Sequence, residues 1–487
     1  MTSRRERAEE RVFGAIDIGA SSGRVVAGRL TGAGLALEVV HRFPNGAARA
    51  DGHLRWDLTG LYEEVLTGLT ELGRRHPDVV SLGIDTWAVD YGLLDADGRL
   101  LAEPVAYRDD RTEAVVGQVH RRVGRERLYE VTGLQFLPFN TLYQLAAEQR
   151  GPLWSRVRHA VLLPDLLAYW LTGSLRTEVT NASTTGLLDA RSRTWSTEIL
   201  DALGLPRDLF PPLISPGETL AALAPGVQAR TGLPPATTVV AVGSHDTASA
   251  VVGVPATGRH PGFVSCGTWS LVGVELDEPV LTRASREANF TNEGGVDGRT
   301  RYLRNVGGLW LLQESLRSWR EAGESPDQGQ LLAEAAELPA GGPVVDADAS
   351  VFLAPGDMPA RIRAFCAERG EPPPESRAAL VRCVLDSLAQ GYARTLAAAE
   401  RLSRQQVDLL HLVGGGSQNE LLCQLTADLT GRPVLAGPVE ATALGNLAVQ
   451  ARAAGLLPAD LDELRRQSAA VLRPRRYLPT GQNLSGP

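Results

Sequence analysis

Hydrophobic and polar positions along the first hundred residues follow two different periods. Residues 12–18, 24–30, 35–40 and 79–85 are apolar runs of strand length. Residues 58–75 instead place leucine and valine at intervals of three and four, which is the spacing of one buried helix face. The order strand, strand, strand, helix, strand predicts a mixed sheet rather than the strict β-α-β alternation of a dinucleotide-binding fold.

The second half of the chain repeats this plan in outline, without an obvious sequence repeat. A stretch rich in Pro and Gly at residues 253–262 is typical of a connection, and we therefore predict two α/β domains, residues 1–255 and 256–487. Residues 324–374 carry Pro, Gly and acidic side chains, which predicts a surface insertion or lid. The other predicted elements are a hairpin at 93–101, strands at 263–266, 269–276, 409–413 and 433–435, and helices at 417–430 and 440–453.

Composition narrows the classes of function. The chain has 487 residues and a formal net charge of −8, and this acidic balance argues against a nucleic-acid surface. No window approaches the ~18 apolar residues that would span a bilayer. The first ten residues also lack the apolar stretch of a signal peptide. We therefore expect a cytoplasmic monomer or homodimer with no nucleic-acid or membrane partner.

All 49 basic residues are arginines. Without lysine the chain has no P-loop and no Schiff-base lysine. Any phosphate must then be held by backbone N–H groups, Ser or Thr hydroxyls, arginine and a metal ion. The four cysteines contain no CxxC pair, so a zinc site is not expected. Cys366 and Cys383 either pair or remain free buried thiols, and the sequence leaves both readings open.

Residues 17–24, Asp-Ile-Gly-Ala-Ser-Ser-Gly-Arg, end a strand in an acid and pass through a small turn to a basic residue. Gly19 and Gly23 would allow close backbone approach to an anion. Successive N–H groups in such a turn form an anion-binding nest, to which the two serines add hydroxyl donors. Asp17 would hold hydrated Mg²⁺ beside the phosphates, since Mg²⁺ usually takes one or two carboxylates. A plain Gly/Ser hairpin is the alternative.

Two turns in the second half have a similarly small, polar composition. Ser-Cys-Gly-Thr-Trp-Ser at residues 265–270 is another strand-turn-strand, and with the first turn it would clamp a triphosphate. Val-Gly-Gly-Gly-Ser-Gln-Asn at residues 413–419 brings glycine backbone to a helix N-terminus, where a base or ribose would fit. Ordinary turns are the alternative for both.

Residues 243–248, Gly-Ser-His-Asp-Thr-Ala, follow an apolar strand at 238–242. An acid flanked by small residues at the carboxyl end of a strand can reach a cleft, which makes Asp246 a candidate base. The alternative is a structural role in which Asp246 or Ser244 caps the helix that follows. Taken alone, His245 indicates a packed histidine more than a catalyst.

Residues 84–92, Ile-Asp-Thr-Trp-Ala-Val-Asp-Tyr-Gly, place acids, a hydroxyl and aromatic rings just past a buried strand. Sugar sites need this mixture, because rings cover the apolar faces of a sugar and carboxylates bind its hydroxyls. The alternative is an edge turn with a packed tryptophan.

Taken in this order, the segments resemble the FGGY family of carbohydrate kinases over roughly residues 12–477. The resemblance implies an α/β fold of two ribonuclease-H-like domains, as in the actin/hexokinase/Hsp70 ATPase fold, with the active site in the interdomain cleft. It is carried by several unrelated stretches, residues 20–24, 83–87, 106–109, 140–145, 243–248, 267–270, 292–295, 307–313, 414–419 and 437–441.

The resemblance also implies a reaction, ATP-dependent phosphorylation of L-rhamnulose at O1 in L-rhamnose catabolism, with Mg²⁺ as cofactor and Asp246 as base. The expected sugar-binding residues are Thr86, Trp87, Ala88, His245, Asp246, Thr247 and Asn305. The expected nucleotide-binding residues are Ala20, Ser21, Ser22, Gly23, Arg24, Thr268, Gln313 and Gly415.

Ala88 departs from the family pattern, because members acting on L-rhamnulose usually carry glycine there. One added methyl group would crowd a substrate that touches this backbone. Residues 140–145 lack the Lys-Trp pair of many family members, which favours the L-rhamnulose subfamily. Three alternatives stay open: a kinase of xylulose, fuculose or a related polyol, an ATP-binding scaffold without a sugar acceptor, and a purely structural two-domain protein.

Overall fold

The computed structural model describes residues 11–31, 34–258 and 260–480. The chain divides into two compact units, and each unit contains more than one segment of the sequence because two later segments pack with the N-terminal part of the chain. A domain boundary near residue 255 stays a prediction. The first unit comprises Met1–Arg259, Glu275–Tyr302 and Ala441–Leu472, and the second comprises His260–Val274, Leu303–Glu440 and Arg473–Pro487.

The strands of the described ranges are β1 (Arg11–Ile18), β2 (Ser22–Thr31), β3 (Gly34–Pro44), β4 (Ala48–Ala50), β5 (His53–Arg55), β6 (Val79–Thr86), β7 (Tyr91–Leu94), β8 (His159–Leu162), β9 (Thr177–Glu178), β10 (Leu213–Ile214), β11 (Thr219–Ala222), β12 (Thr238–Val240), β13 (Gly262–Cys266), β14 (Trp269–Leu276), β15 (Thr291–Gly294), β16 (Thr300–Gly307), β17 (Leu410–Val413), β18 (Val434–Ala436) and β19 (Arg475–Tyr477).

The α-helices of the same ranges are α1 (Leu58–Arg75), α2 (Glu113–Val123), α3 (Arg125–Thr132), α4 (Thr141–Glu148), α5 (Leu163–Thr172), α6 (Val179–Ala182), α7 (Thr197–Leu203), α8 (Pro225–Thr231), α9 (Asp246–Val252), α10 (Arg283–Glu287), α11 (Trp310–Glu321), α12 (Gln328–Glu337), α13 (Met358–Glu368), α14 (Arg377–Ser403), α15 (Glu420–Thr430), α16 (Ala441–Ala453) and α17 (Leu461–Val471). Short 3₁₀ turns lie at Asp110–Thr112, Trp154–Arg156, Val296–Gly298, Ser350–Phe352 and Gly415–Gln418.

The first unit is built on a mixed sheet in the order β11-β12-β6-β1-β2-β3. β1 pairs parallel with β6 and antiparallel with β2, as the order of apolar segments predicted. Successive residues of β1 face opposite sides of the sheet. Ile16 and Ile18 belong to the core that also contains α1, whereas Phe13 and Ala15 pack with Leu447 of α16. Both faces of the central strand are therefore buried.

Helix α1 has the bounds that its apolar stripe predicted, residues 58–75. Its start is fixed by Asp57, whose carboxylate accepts a hydrogen bond from the backbone N–H of Gly60 at 2.8 Å. Its buried face contains Leu61, Val65 and Leu69. The three-and-four spacing in the sequence corresponds to this face.

The second unit has its own sheet, whose strands lie in the order β16-β14-β13-β17-β18-β19. β13 pairs antiparallel with β14 and parallel with β17, which repeats the relation of β1 to β2 and β6 in the first unit. This confirms a two-domain α/β fold with mixed sheets. The segment 324–374 contains α12 and α13, and its role as an insertion or lid stays a prediction.

The hairpin predicted at residues 93–101 is only partly formed. The turn is present, with the N–H of Gly98 donating to the carbonyl of Asp95 at 3.1 Å. The two arms of the hairpin are joined by backbone hydrogen bonds from Asp95 N–H to the Arg99 carbonyl at 3.0 Å and from Leu101 N–H to the Leu93 carbonyl at 2.9 Å, and by an isolated bridge between Leu94 and Leu100. The second arm is too short to form a named strand, and β7 also pairs with β8, where Tyr91 and Leu93 are buried in a core cluster that includes Leu162.

All four cysteines are free and buried, so the unpaired alternative for Cys366 and Cys383 holds in this structure. Within residues 11–31, 34–258 and 260–480, no helix combines the length and the apolar character needed to cross a membrane.

Candidate active site

Three of the segments singled out in the sequence leave neighbouring strands of the first unit at one edge of its sheet. β1 ends at Ile18, β6 at Thr86 and β12 at Val240, and these strands run parallel in the order β12-β6-β1. Carboxyl ends of adjacent parallel strands share an edge, so the turns that follow lie side by side. An isolated parallel bridge between Thr86 and His245 joins two of these turns.

Asp246 is the first residue of α9 and does not cap it. The N-cap residue is His245, whose side chain makes no capping hydrogen bond. The hydroxyl of Ser244 donates to Glu178 at 2.9 Å instead. The capping alternative is therefore wrong for both Asp246 and Ser244. The Asp246 side chain is 32% exposed, and its Oδ1 accepts a hydrogen bond from Thr247 Oγ1 at 3.0 Å.

The carboxyl of Asp246 has a raised pKa. Burial among protein atoms is the main cause, and the negative charge of Asp17 adds to it, while His245 and Thr247 act in the opposite direction. Solvent nevertheless reaches about a third of the side chain, with 32% of it exposed, so a substrate hydroxyl has access. A carboxylate with a raised pKa is a stronger base, which suits proton acceptance near neutral pH.

Asp17 and Asp85 lie in register on β1 and β6. Asp17 Oδ2 accepts from Arg24 Nε at 3.0 Å and from Nη2 at 2.7 Å. Asp85 Oδ2 accepts from Asn446 Nδ2 at 2.6 Å. Asp85 Oδ1 is buried and has no hydrogen-bond partner among the described residues. Burial and the charge of Asp17 raise the pKa of Asp85 well above its ordinary value.

This carboxylate pair is compatible with a hydrated Mg²⁺ ion. An unpartnered buried oxygen at Asp85 and two adjacent like charges are both relieved by a cation or its water shell. Across the part of the chain that the structure describes, no group of three or more His, Cys, Asp or Glu forms a metal cage. Mg²⁺ does not need one, because it usually binds through one or two carboxylates together with phosphates and waters.

The turn between β1 and β2 is closed by its own backbone. The N–H of Gly19 donates to the carbonyl of Ser22 at 2.9 Å, and Asn45 braces the turn through bonds to Ser21 and Gly19. The N–H groups of Ala20 and Ser21 make no hydrogen bond to the described residues. Two adjacent donors are thus left at the tip, as an anion nest requires.

Gly23 has a packing role that differs from the one predicted. A Cβ at this position would overlap the ring of Phe43, so the glycine is needed for the contact between β2 and β3. Gly19 meets only the Ser22 carbonyl at an ordinary 3.5 Å. Packing against Phe43 is therefore sufficient to require glycine at position 23, and the approach of an anion to Gly23 stays a prediction.

The side chains of Trp87 and Asp90 hold the loop together. Trp87 is 7% exposed, and its ring centroid lies 4.3 Å from that of Trp56. Both indole N–H groups donate to Asp90 Oδ2, at 2.9 Å and 2.6 Å, and Gln144 donates to Oδ1 at 3.1 Å. This arrangement favours the packed-tryptophan alternative for these two residues. Thr86 is also buried, and its hydroxyl donates to the Trp87 carbonyl.

Next to the half-buried Ala88, Val89 has a φ of +68°. A β-branched residue in this region is strained, at a cost of order ~1–3 kcal/mol. Its carbonyl accepts hydrogen bonds from Thr141 Oγ1 at 2.7 Å and Gln144 Nε2 at 3.3 Å. Sequence reasoning assigned no role to Thr141 or Gln144, and their only signal was the family-like stretch at 140–145. They fix the backbone that presents Ala88.

In the second unit, the predicted nucleotide residues gather at one edge. β13 and β17 are parallel neighbours, so the turn after Cys266 and the glycine loop after Val413 emerge together. A Cβ on Gly416 would overlap Cys266 Sγ, whereas Gly415 is exposed with no atom near its Cβ position. Thr268 Oγ1 lies 3.5 Å from Gln313 Oε1.

Asn305, the remaining predicted sugar residue, is half-buried on β16. Sequence reasoning missed two residues that contact His245. The Nδ1 atom of His245 lies 3.1 Å from Arg301 Nη2 and 3.2 Å from Glu293 Oε2. Glu293 lay within a family-like stretch but received no role. No local pattern marks Arg301 as a site residue, and arginine in a strand is usually expected at the surface, because fully buried arginines are rare.

Gly415 and Gly416 offer a matched test of the loop. We expect Gly416→Ala to lower the free energy of unfolding by ~1–3 kcal/mol, because its Cβ overlaps Cys266. We expect Gly415→Ala to leave stability unchanged and to raise the KM for ATP, since only a ligand would meet the new methyl group. Thermal melts and ADP-release kinetics check both, and an unchanged KM in Gly415→Ala would argue against adenosine at this glycine.

Comparison with known proteins agrees with this architecture. The model of the FGGY family of carbohydrate kinases, N-terminal domain, matches residues 12–253, and the C-terminal domain model of the same family matches residues 262–454. Rhamnulokinase of Pectobacterium carotovorum subsp. carotovorum is 44% identical over 473 residues, covering 96% of this chain and 93% of the relative. Rhamnulokinase of Bacteroides thetaiotaomicron is 42% identical over 445 residues, with 91% of each chain covered.

Solved structures with low sequence identity share the fold. Gluconate kinase from Lactobacillus acidophilus has a TM-score of 0.78 at 16% identity, covering 97% of this chain and 94% of that one. Xylulose kinase from the same organism has a TM-score of 0.77 at 18% identity, with the same coverage.

Proposed function

Because the chain belongs to the FGGY family of carbohydrate kinases, we propose that it transfers the γ-phosphoryl group of ATP to O1 of L-rhamnulose. The products are L-rhamnulose 1-phosphate and ADP. That the protein is a carbohydrate kinase follows from the family, and the choice of sugar is supported by relatives named rhamnulokinase at 42–44% identity over most of the chain. The observation that carries the chemistry is the partly exposed, high-pKa carboxylate of Asp246 at the shared edge of three parallel strands.

In the proposed reaction, O1 of the sugar forms a bond to the γ-phosphorus while the bond to the bridging oxygen of ADP breaks. Asp246 accepts the proton that leaves O1, a role worth ~10²–10⁴-fold in rate. Thr247 fixes one carboxylate oxygen through its hydroxyl at 3.0 Å. The sugar would contact His245, Thr86 and Ala88, which lie in the turns at the carboxyl ends of β6 and β12. Trp87 would support the loop of Thr86 and Ala88 through its packing. Asn305 is proposed as a further sugar contact.

Phosphoryl transfer asks the protein mainly for positioning and charge stabilisation. The turn from Ala20 to Arg24 would contact phosphate oxygens, through the N–H groups of Ala20 and Ser21 and the Ser21 and Ser22 hydroxyls. Thr268, Gln313 and Gly415 are proposed to contact the nucleotide. Arg24 would keep Asp17 oriented while adding positive charge, since its guanidinium donates two hydrogen bonds to that carboxylate.

Mg²⁺ is the proposed cofactor, with Asp17 as its protein ligand and Asp85 beside it. When bound, the ion would neutralise charge on the β- and γ-phosphates. We further propose that the reaction takes place in the cytoplasm as part of L-rhamnose catabolism. A monomer or homodimer remains the prediction for the assembly.

A substrate panel tests the proposed sugar. Purified protein is assayed for ADP release with L-rhamnulose, xylulose, fuculose and related polyols, with and without Mg²⁺. We expect the highest kcat/KM with L-rhamnulose. A higher value with another ketose would assign the protein to that sugar, and the methyl group of Ala88 would then be the first feature to examine. Slow ATP hydrolysis that no sugar stimulates would support the scaffold alternative instead.

A further inference from the structure

Arg301 is a cation buried completely inside the first unit. Its side chain is 0% exposed, and its Nε donates to the carbonyl of Gly294 at 2.9 Å. Nη1 lies 3.2 Å from Glu293 Oε2. Burial lowers the pKa of Arg301, while the carboxylates of Glu293, Asp246, Glu178 and Glu275 oppose this change. Removing this guanidinium from water costs several kcal/mol, so its contacts with neighbouring groups must offset that cost.

The contact between Arg301 and His245 determines which ring nitrogen carries the proton. Arg301 Nη2 lies 3.1 Å from His245 Nδ1 in hydrogen-bond geometry, and a guanidinium nitrogen can only donate. With Nδ1 as the acceptor of this bond, a neutral imidazole carries its proton on Nε2. Nε2 is 3.5 Å from Asp246 Oδ1. The ring thus presents an N–H, rather than a lone pair, to the carboxylate.

The other tautomer would work against the carboxylate. If Glu293 accepted a proton from Nδ1 at its 3.2 Å distance, the neutral ring would turn a lone pair towards Asp246. Two facing acceptors repel each other, and the carboxylate would rotate away. Glu293 Oε2 lies 3.2 Å from both Arg301 Nη1 and His245 Nδ1, and neither contact has hydrogen-bond geometry. The contact of Nδ1 that does have this geometry is with Arg301 Nη2, so the charge of Glu293 balances the buried cation without taking the ring proton.

We propose that Arg301 and Glu293 are positioning residues that hold His245 in the Nε2–H tautomer and so orient the carboxylate of Asp246 towards the sugar hydroxyl. The proposal rests on the proposed function, in which Asp246 is the base. Neither residue needs to touch the substrate. Their effect passes through His245, whose Nδ1 is fixed from behind while its Nε2 faces Asp246, as the partner of a histidine commonly fixes its tautomer.

The test compares two variants that differ in whether a donor remains at position 301. Arg301→Lys keeps a charged donor beside Nδ1 and leaves Glu293 paired. The double variant Arg301→Met with Glu293→Gln removes the donor and keeps the buried site neutral. We expect the double variant to lose ~10²-fold in kcat, the size associated with misplacing a reacting group. The KM for ATP should stay unchanged, and Arg301→Lys should retain most of the wild-type kcat.

The ¹⁵N chemical shifts of labelled histidine give a readout that a purely structural role would not move. The His245 signal is assigned by its loss in His245→Asn. We expect Nε2–H in the wild type and in Arg301→Lys, and Nδ1–H in the double variant. A wild-type spectrum with the proton on Nδ1 overturns the proposal even if the double variant does not fold.

Two controls separate the possible failures. Arg382→Met with Asp386→Asn removes a comparable buried pair, joined at 2.9 Å within α14, and should lower stability without changing kcat. Asp246→Asn is assayed in parallel. A double variant with near-normal kcat beside an inactive Asp246→Asn overturns the positioning role alone, whereas an active Asp246→Asn overturns the proposed base.

Discussion

Asp246→Asn is expected to lower kcat by ~10²–10⁴-fold, the range for removal of a general base. The amide keeps the shape of the side chain and can still accept from Thr247, whose hydroxyl lies 3.0 Å from Oδ1. It cannot take up a proton at neutral pH. ATP binding, measured by calorimetry, should be unchanged, because the proposed nucleotide contacts lie elsewhere in the chain.

Stability should not fall in this variant. The folded protein raises the pKa of Asp246, so the folded state binds its proton more tightly than the unfolded state does. The ionised form therefore costs stability above the raised pKa, and the cost disappears as the pH falls below the ordinary carboxyl value. We expect Asp246→Asn to melt at or above the wild-type temperature at pH 7. In the wild type, kcat/KM should fall as the pH drops through the raised pKa of Asp246.

Asp386→Asn is the matched control for Asp246→Asn. Burial also raises the pKa of Asp386, so the same substitution removes a similar charge from α14 of the second unit. Its kcat should match that of the wild type. Near-normal turnover in Asp246→Asn, with this control also active, would show that another group accepts the proton.

Much of the fold is predictable because its determinants are local. The apolar stripe of residues 58–75 gave both ends of α1, since the helix period and its Asp57 cap lie within one short segment. The strand-turn-strand at β1 and β2 follows from the same kind of local pattern. Local sequence patterns do not predict contacts between segments that are far apart in the sequence. Asn446 bonds to Asp85 across 361 positions of sequence, and no periodic pattern contains that pairing.

The candidate site shows the same division. Asp246 could be singled out because it follows an apolar strand among small residues. The role of Arg301 could not, because it depends on where β16 runs relative to His245. Gly23 shows a different limit, since a glycine needed for the Phe43 contact looks the same in sequence as one needed for an anion. Trp87 and Asp90 had the composition of a sugar site, yet their polar atoms bond to each other.

Asp17→Asn is expected to weaken the use of Mg²⁺. If Asp17 is the protein ligand, the variant should need a higher Mg²⁺ concentration for half-maximal ADP release, by at least the ~10–100-fold that follows loss of a supporting partner. The geometry makes a smaller effect unexpected. Burial and the charge of Asp17 raise the pKa of Asp85 well above its ordinary value, which leaves Asp17 as the main source of negative charge at the end of β1.

The dependence on Mg²⁺ separates this role from simple loss of the ion pair with Arg24. Loss of an ion pair alone would lower activity by the same factor at every Mg²⁺ concentration, because Arg24 would be misplaced whether or not the ion is present. Loss of a metal ligand should be largely restored by excess Mg²⁺, since mass action compensates for weaker binding. A Mg²⁺ titration of ADP release at fixed ATP distinguishes the two, with Asp386→Asn as the control, and a loss that excess Mg²⁺ leaves unchanged would remove Asp17 from the metal site.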